Sequence, residues 1–134
     1  MDAMANSTEL WVLGWSGALL LVHITLQMLA YVNDVGLAYA MSNRDGSKSA
    51  GPMAARLQRG ISNYVESYGA FIALAVALLL SGKTGGLGAI GALIWFWARV
   101  VYIPVFAGGI AVLRTGIWTV SMVGLALMAV RLLF

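Results

Sequence analysis

The sequence predicts an all-α integral membrane protein: a four-transmembrane-helix bundle forming one domain over residues 1–134. Two observations lead there. The chain is 61% hydrophobic and only 10% charged, with a mean hydropathy of +0.89, whereas soluble domains carry roughly 25% charged residues. A chain this short cannot hide so much apolar surface in one core, so the bilayer must be its solvent. The apolar residues also fall into four runs, each close to the ~20 residues that cross ~30 Å of hydrocarbon. A polar segment, SNRDGSKSAGPMAARLQR, and two glycine-marked turns, SGKTGG and AGGIAVL, separate them.

The predicted spans are 10–41, 60–81, 86–107 and 114–134. Leu10 to Val32 is almost wholly apolar, and a weaker continuation to Met41 predicts one long, tilted helix. The preceding MDAMANSTEL carries Asp2 and Glu9 but no lysine or arginine, and the run after it is too long for a signal-peptide core, so an uncleaved first span is expected. In the second span Arg59, Asn63 and Glu66 fall within roughly 60° of one another at about 100° per residue. Ala70, Ala73 and Ala77 continue that stripe, and their small side chains predict a face turned into protein rather than lipid. The third span carries Gly88, Ala92, Trp95, Arg99, Tyr102 and Phe106 at spacings of three and four; Pro104, which cannot donate its backbone nitrogen, predicts a kink near Arg99 and Tyr102. The fourth opens on Arg114 and Thr115, with Trp118 and Ser121 on nearly the same face as Arg114.

Basic residues set the expected orientation. Arg44, Lys48, Arg56 and Arg59 lie in the first loop and Arg114 beside the third, against Lys83 and Arg131 on the other side. The positive-inside bias places the first and third loops in the cytoplasm and both termini outside. The net charge of +3 comes from few ionic groups, so no nucleic-acid partner is expected.

The absence of cysteine excludes disulfides, thiolate metal sites and a cysteine nucleophile. There is no HExxH motif, carboxylate cluster or phosphate-binding glycine loop, and the lone His23 makes no metal site, so no metal is expected.

In the alternating topology, the polar residues of spans two to four meet at one end. Arg99 lies about two turns inside that end, where an unpaired guanidinium costs at least ~2.5 kcal/mol. Glu66 lies at similar depth and is its expected partner in a buried ion pair, either a structural clamp or part of a ligand site. Asn33 and Asp34 are further candidates for lining that site, and His23 is expected to be a hydrogen-bonded interior residue. Arg59 and Arg114 also satisfy the pattern of interfacial snorkelling residues, and Tyr102 and Trp118 that of an aromatic belt. Together, the cations, a carboxylate, an asparagine and a tyrosine at one depth suit a small zwitterion bearing carboxylates and an amine, because arginine grips carboxylates through paired hydrogen bonds.

These residues resemble the membrane-associated proteins in eicosanoid and glutathione metabolism (MAPEG). The resemblance runs over most of the chain: "RGISNYVE" opening the second span, "ARVVYIPVF" closing the third and "LRTGIW" opening the fourth. Arg59, Asn63 and Glu66 reproduce the family pattern of Arg, three residues, Asn, two residues, Glu; Arg99 and Tyr102 resemble its third-span pair, and Arg114 the arginine that activates the glutathione thiol. The resemblance implies a homotrimer with glutathione as co-substrate, bound in a U shape between subunits near the cytoplasmic face. Arg59, Asn63, Glu66, Tyr102, Thr115 and Trp118 would hold the peptide, and Arg114 would stabilise the thiolate. A free thiol of pKa ≈ 8.5 is mostly protonated at neutral pH, and a fixed guanidinium near a helix N-terminus raises the thiolate fraction. The chain departs from the family at Phe106, often a second tyrosine, at Ser62, an arginine in the prostaglandin-forming branch, and at Trp118, frequently tyrosine.

The expected function is therefore an integral-membrane glutathione transferase or peroxidase acting on hydrophobic electrophiles or lipid hydroperoxides delivered by membrane lipid. The short N-terminus and missing ER-retention tail point to a bacterial inner membrane. The competing expectation is a non-catalytic membrane subunit or lipid-binding scaffold of the same fold. A transporter ranks below both, because paired broken-helix repeats are not seen.

Overall fold

The computed structural model describes residues 2–46, 48 and 51–134; positions 47, 49 and 50 of the predicted polar loop lie outside the described residues. The chain runs α1 (Asp2–Ala5), α2 (Thr8–Val35), α3 (Leu37–Ala40), α4 (Pro52–Leu80), α5 (Gly86–Ala107) and α6 (Ala111–Leu133). The helices α2, α4, α5 and α6 are each long and apolar enough to cross a membrane.

Two boundaries differ from expectation, each for a local reason. The first span does not continue to 41. Gly36 sits at φ 86°, ψ 151°, a conformation open to glycine, so α2 ends at Val35 and α3 is a separate turn. The second helix starts well before 60, with Pro52 in its first turn, where the missing N–H costs nothing. Residues 53–59, polar enough to resemble a loop, are good helix formers, and Ala54 and Leu57 among them are buried. Asp34 joins these ends: its Oδ2 accepts from the Gly51 backbone N–H at 2.7 Å. It thus closes the first loop and is not among the residues lining the main polar cleft.

The core is aromatic. Trp95 of α5 stacks on Phe71 of α4 with ring centroids 4.0 Å apart and planes 6° from parallel. Tyr64 lies edge-on to Trp95, and its hydroxyl donates to the Ser16 carbonyl at 2.6 Å, tying α4 to α2. Helices α5 and α6 pack backbone to backbone: a Cβ on Gly124 would come within 2.6 Å of the Gly91 carbonyl oxygen. Small residues are what permit so close an approach of two membrane helices.

The predicted third-span stripe is buried as expected, from Gly88 through Ala92, Trp95, Arg99 and Tyr102 to Phe106. The alanine stripe of the second span is not. Ala70 and Ala73 are exposed, while Tyr64, Ser67, Phe71, Ala75 and Leu78 form the buried face. The large aromatic rings win the interior, and the small residues are left on a face directed away from the chain's own bundle.

Candidate functional site

Three helices converge on a partly open cleft of about 370 Å³ lined by Arg59, Ser62, Asn63 and Glu66 of α4, Tyr102 and Phe106 of α5, and Arg114, Thr115 and Trp118 of α6. All seven residues expected to hold or activate a ligand therefore share one cavity. Ser62, noted in the sequence as a departure, and Phe106, noted both as a departure and as the end of the third-span stripe, complete the wall.

The turn between α5 and α6 brings Arg114 to the cleft. Gly109 adopts φ 75°, and the Arg56 guanidinium packs so closely that a Cβ there would lie 2.9 Å from its Cζ. Arg56 also donates to the Ala107 carbonyl at 3.3 Å, satisfying an orphan acceptor at the end of α5. In sequence Arg56 is one loop charge among several; only the fold shows that it fastens the turn leading to Arg114. The Arg114 guanidinium lies over the Phe106 ring at 5.1 Å, a cation–π contact that orients its head.

Behind the cleft, Arg99 is 1% exposed. The expected ion pair with Glu66 does not form. Arg99 Nη1 donates to Asn63 Oδ1 at 2.7 Å, and Nη2 to the Ser67 and Ser121 hydroxyls at 3.0 and 3.4 Å. Its Cζ also sits 5.1 Å from the Tyr102 ring centre and 5.9 Å from that of Tyr64. Helix geometry explains the choice of partner. At about 100° per residue, Ser67 lies within ~40° of Asn63, whereas Glu66 points ~100° away from Ser67 around α4. Glu66 is exposed on the cleft side, and neutral oxygens with two aromatic faces surround the buried cation. Ser67 gave no signal in the sequence beyond its position one turn after Asn63.

The consequence for the cleft is positional. Asn63 has its carbonyl oxygen engaged by Arg99, which leaves its amide N–H groups to donate. Arg59, Glu66 and Arg114 carry the cleft's charge, two positive and one negative, and make no side-chain hydrogen bond to protein among the described residues. Two guanidinium forks, a carboxylate and an amide donor can hold a molecule with two carboxylates and one ammonium.

His23 is 1% exposed and faces the Leu57 backbone, but neither ring nitrogen meets hydrogen-bond geometry with any described residue. The expected hydrogen-bonded interior histidine is thus buried without that bond. It packs against Gly60, where a Cβ would lie 3.1 Å from its ring, and does not line the cleft.

Fold and cleft together define a four-span membrane protein with a charged cavity cut into one end of its bundle. The sequence pattern of the MAPEG family matches residues 12–134, nearly the whole chain, and the protein belongs to that family. No curated protein gives a match.

Proposed function

We propose that the cleft binds glutathione and that the protein is an integral-membrane glutathione transferase or peroxidase. The observation that carries this reading is the convergence of Arg59, Glu66 and Arg114, from two helices and with no side-chain hydrogen bond among the described residues, on one cavity. Its size falls within the usual range for small-molecule sites, ~300–1,000 Å³. Arg59 and Arg114 supply forks for carboxylates, Glu66 receives the ammonium, and Asn63 donates to a peptide carbonyl. The chain has no cysteine of its own, so the reactive sulfur must come from the ligand.

The fixed positive charge of Arg114 lowers the pKa of the bound thiol, whose proton leaves to solvent. The thiolate then forms a carbon–sulfur bond to an electrophile as the leaving group departs with its electron pair. With a lipid hydroperoxide, the sulfur attacks the terminal oxygen and the O–O bond breaks. The alkoxide takes a proton, and a second glutathione reduces the sulfenic acid, giving disulfide and water.

The same reading includes a homotrimer. Glu66, Ala70 and Ala73 are exposed on one side of α4, a face poorly suited to lipid at its charged end and small enough at the other for a second copy to pack closely. It also places the Arg44, Arg56, Arg59 and Arg114 end in the cytoplasm, by the basic-residue count.

Purified protein should bind glutathione by calorimetry and turn over a chlorodinitrobenzene or a lipid hydroperoxide. Absence of both binding and turnover overturns the proposal. Binding without turnover favours the non-catalytic reading of the same fold.

A further inference from the structure

A second cavity, of about 640 Å³, opens at the same end of the bundle between α2 and α4. Gln27, Met28 and Tyr31 of α2, Arg44 of the first loop, and Ala54, Ala55, Gln58 and Arg59 of α4 line it. From these residues we infer that this cavity is a binding site for the phosphate headgroup of an anionic membrane lipid.

The chemistry of the wall is one-sided. Two guanidinium groups and two carboxamides line it, together with a tyrosine, and no lining residue is acidic. Asp34, the nearest acidic residue on α2, is occupied by the Gly51 N–H. Arginine forks match phosphate oxygens, and amide N–H groups add uncharged donors. The remaining wall is Met28, Ala54 and Ala55, and Met28 is exposed on the outer side of α2. A polar pocket with an apolar lip, at the end of the membrane-spanning helices, fits an amphiphile whose head enters while its tails stay in lipid.

Arg44 is also held in place. It is the non-glycine residue with positive φ, 59°, among the described residues. That left-handed conformation is unfavourable for a residue with a Cβ and persists where its surroundings enforce it. Here the Tyr39 hydroxyl donates to the Arg44 carbonyl, Arg44 Nε donates to the Ala40 carbonyl at 3.1 Å, and its Cζ lies 4.9 Å over the Tyr31 ring. The guanidinium is thus oriented at the cavity wall, with its terminal nitrogens left to bind. This inference shares only Arg59 with the glutathione reading and stands if that reading fails.

The test is native mass spectrometry of the full chain, released from detergent after equilibration with equal amounts of phosphatidylglycerol and phosphatidylcholine. The wild type should retain phosphatidylglycerol preferentially. Arg44→Gln should lower that retention roughly fivefold, the effect of one basic residue at an anionic surface, whereas Lys48→Gln, with the same change of charge outside the cavity, should leave it nearly unchanged. Gln58→Leu, on α4 and away from the loop, should also lower retention, which keeps the test valid if Arg44→Gln disturbs the loop. Equal losses from Arg44→Gln and Lys48→Gln would show diffuse attraction to the protein surface and overturn the site. So would an absence of lipid preference in the wild type. Displacement of the lipid by millimolar inorganic phosphate would assign the cavity to a soluble phosphate compound, overturning the lipid assignment.

Discussion

The two ends of the bundle treat charge differently. At the end formed by the starts of α2 and α5 and the close of α6, ionic groups are spent on the protein's own backbone. Glu9 is 0% exposed and its Oε1 accepts from the Gly85 N–H at 2.8 Å, Lys83 donates to the Leu132 carbonyl at 2.8 Å, and Arg131 donates to the Lys83 carbonyl at 3.1 Å. These bonds close helix ends that would otherwise leave orphan groups. At the opposite end Asp34, Arg44, Lys48 and Arg56 do similar work, but Arg59, Glu66 and Arg114 surround an open cleft. Charge at a membrane boundary is common at both ends; what separates a fastening from a site is whether the chain itself uses the charge up. By that criterion one end is stapled throughout, and the other also keeps charges that make no side-chain hydrogen bond to the described chain.

Substitutions at the two ends should therefore divide cleanly. The largest effect is expected for Arg114→Ala: a loss of about 10²–10³ in glutathione-dependent turnover, as for removal of one preorganised charge-stabilising donor, with thermal stability in detergent nearly unchanged. A drop in stability matching the loss of activity would make Arg114 another fastening and erase the contrast. Next comes Arg99→Leu. It takes the donor away from Asn63 Oδ1 and removes the charged partner of the Ser67 and Ser121 hydroxyls, which keep only their bonds to the Tyr64 and Trp118 carbonyls, and should destabilise the fold by about 2–3 kcal/mol. Denaturant unfolding monitored by circular dichroism measures this, and calorimetry should show weaker glutathione binding because Asn63 loses its support.

Glu9→Ala at the stapled end should cost about 1–2 kcal/mol, since it removes the acceptor for the half-buried Gly85 N–H. Activity per folded molecule should be preserved, and its loss would mean that the two ends are coupled. The smallest effect is expected for His23→Phe. The ring nitrogens have no hydrogen-bond partner among the described residues, so an apolar ring of similar shape should shift stability by less than about 1 kcal/mol in either direction. A large destabilisation would show that the imidazole makes a polar interaction important to the bundle.

Much of the cleft was legible because helical spacing is rigid. Residues 59, 63 and 66 share a stripe wherever that helix packs, and Arg114 and Tyr102 lie at ends that a four-span topology must bring together. The Arg99 partner was not legible. Choosing between Glu66 and its neighbour Ser67 depends on a rotation of about 100° about α4, and neutral oxygens together with aromatic faces served in place of a carboxylate. Hydropathy also misplaced the start of α4, because polarity reports the solvent that a segment meets and not its backbone conformation. The turn at Gly36 escaped for a related reason: glycine inside an apolar run is compatible with either a continuous or a broken helix. Which α4 face enters the chain's own bundle was not legible from small residues alone: Tyr64, Phe71 and Trp95 bring far more area to the core than alanines do.

The most direct measurement is the ultraviolet absorption of the glutathione thiolate at neutral pH on mixing with purified protein. A thiolate band that rises with the wild type and is absent with Arg114→Ala is the predicted result. No band with the wild type, or an equal band with the variant, would contradict the claim that the free charges at the open end exist to hold and ionise a thiol.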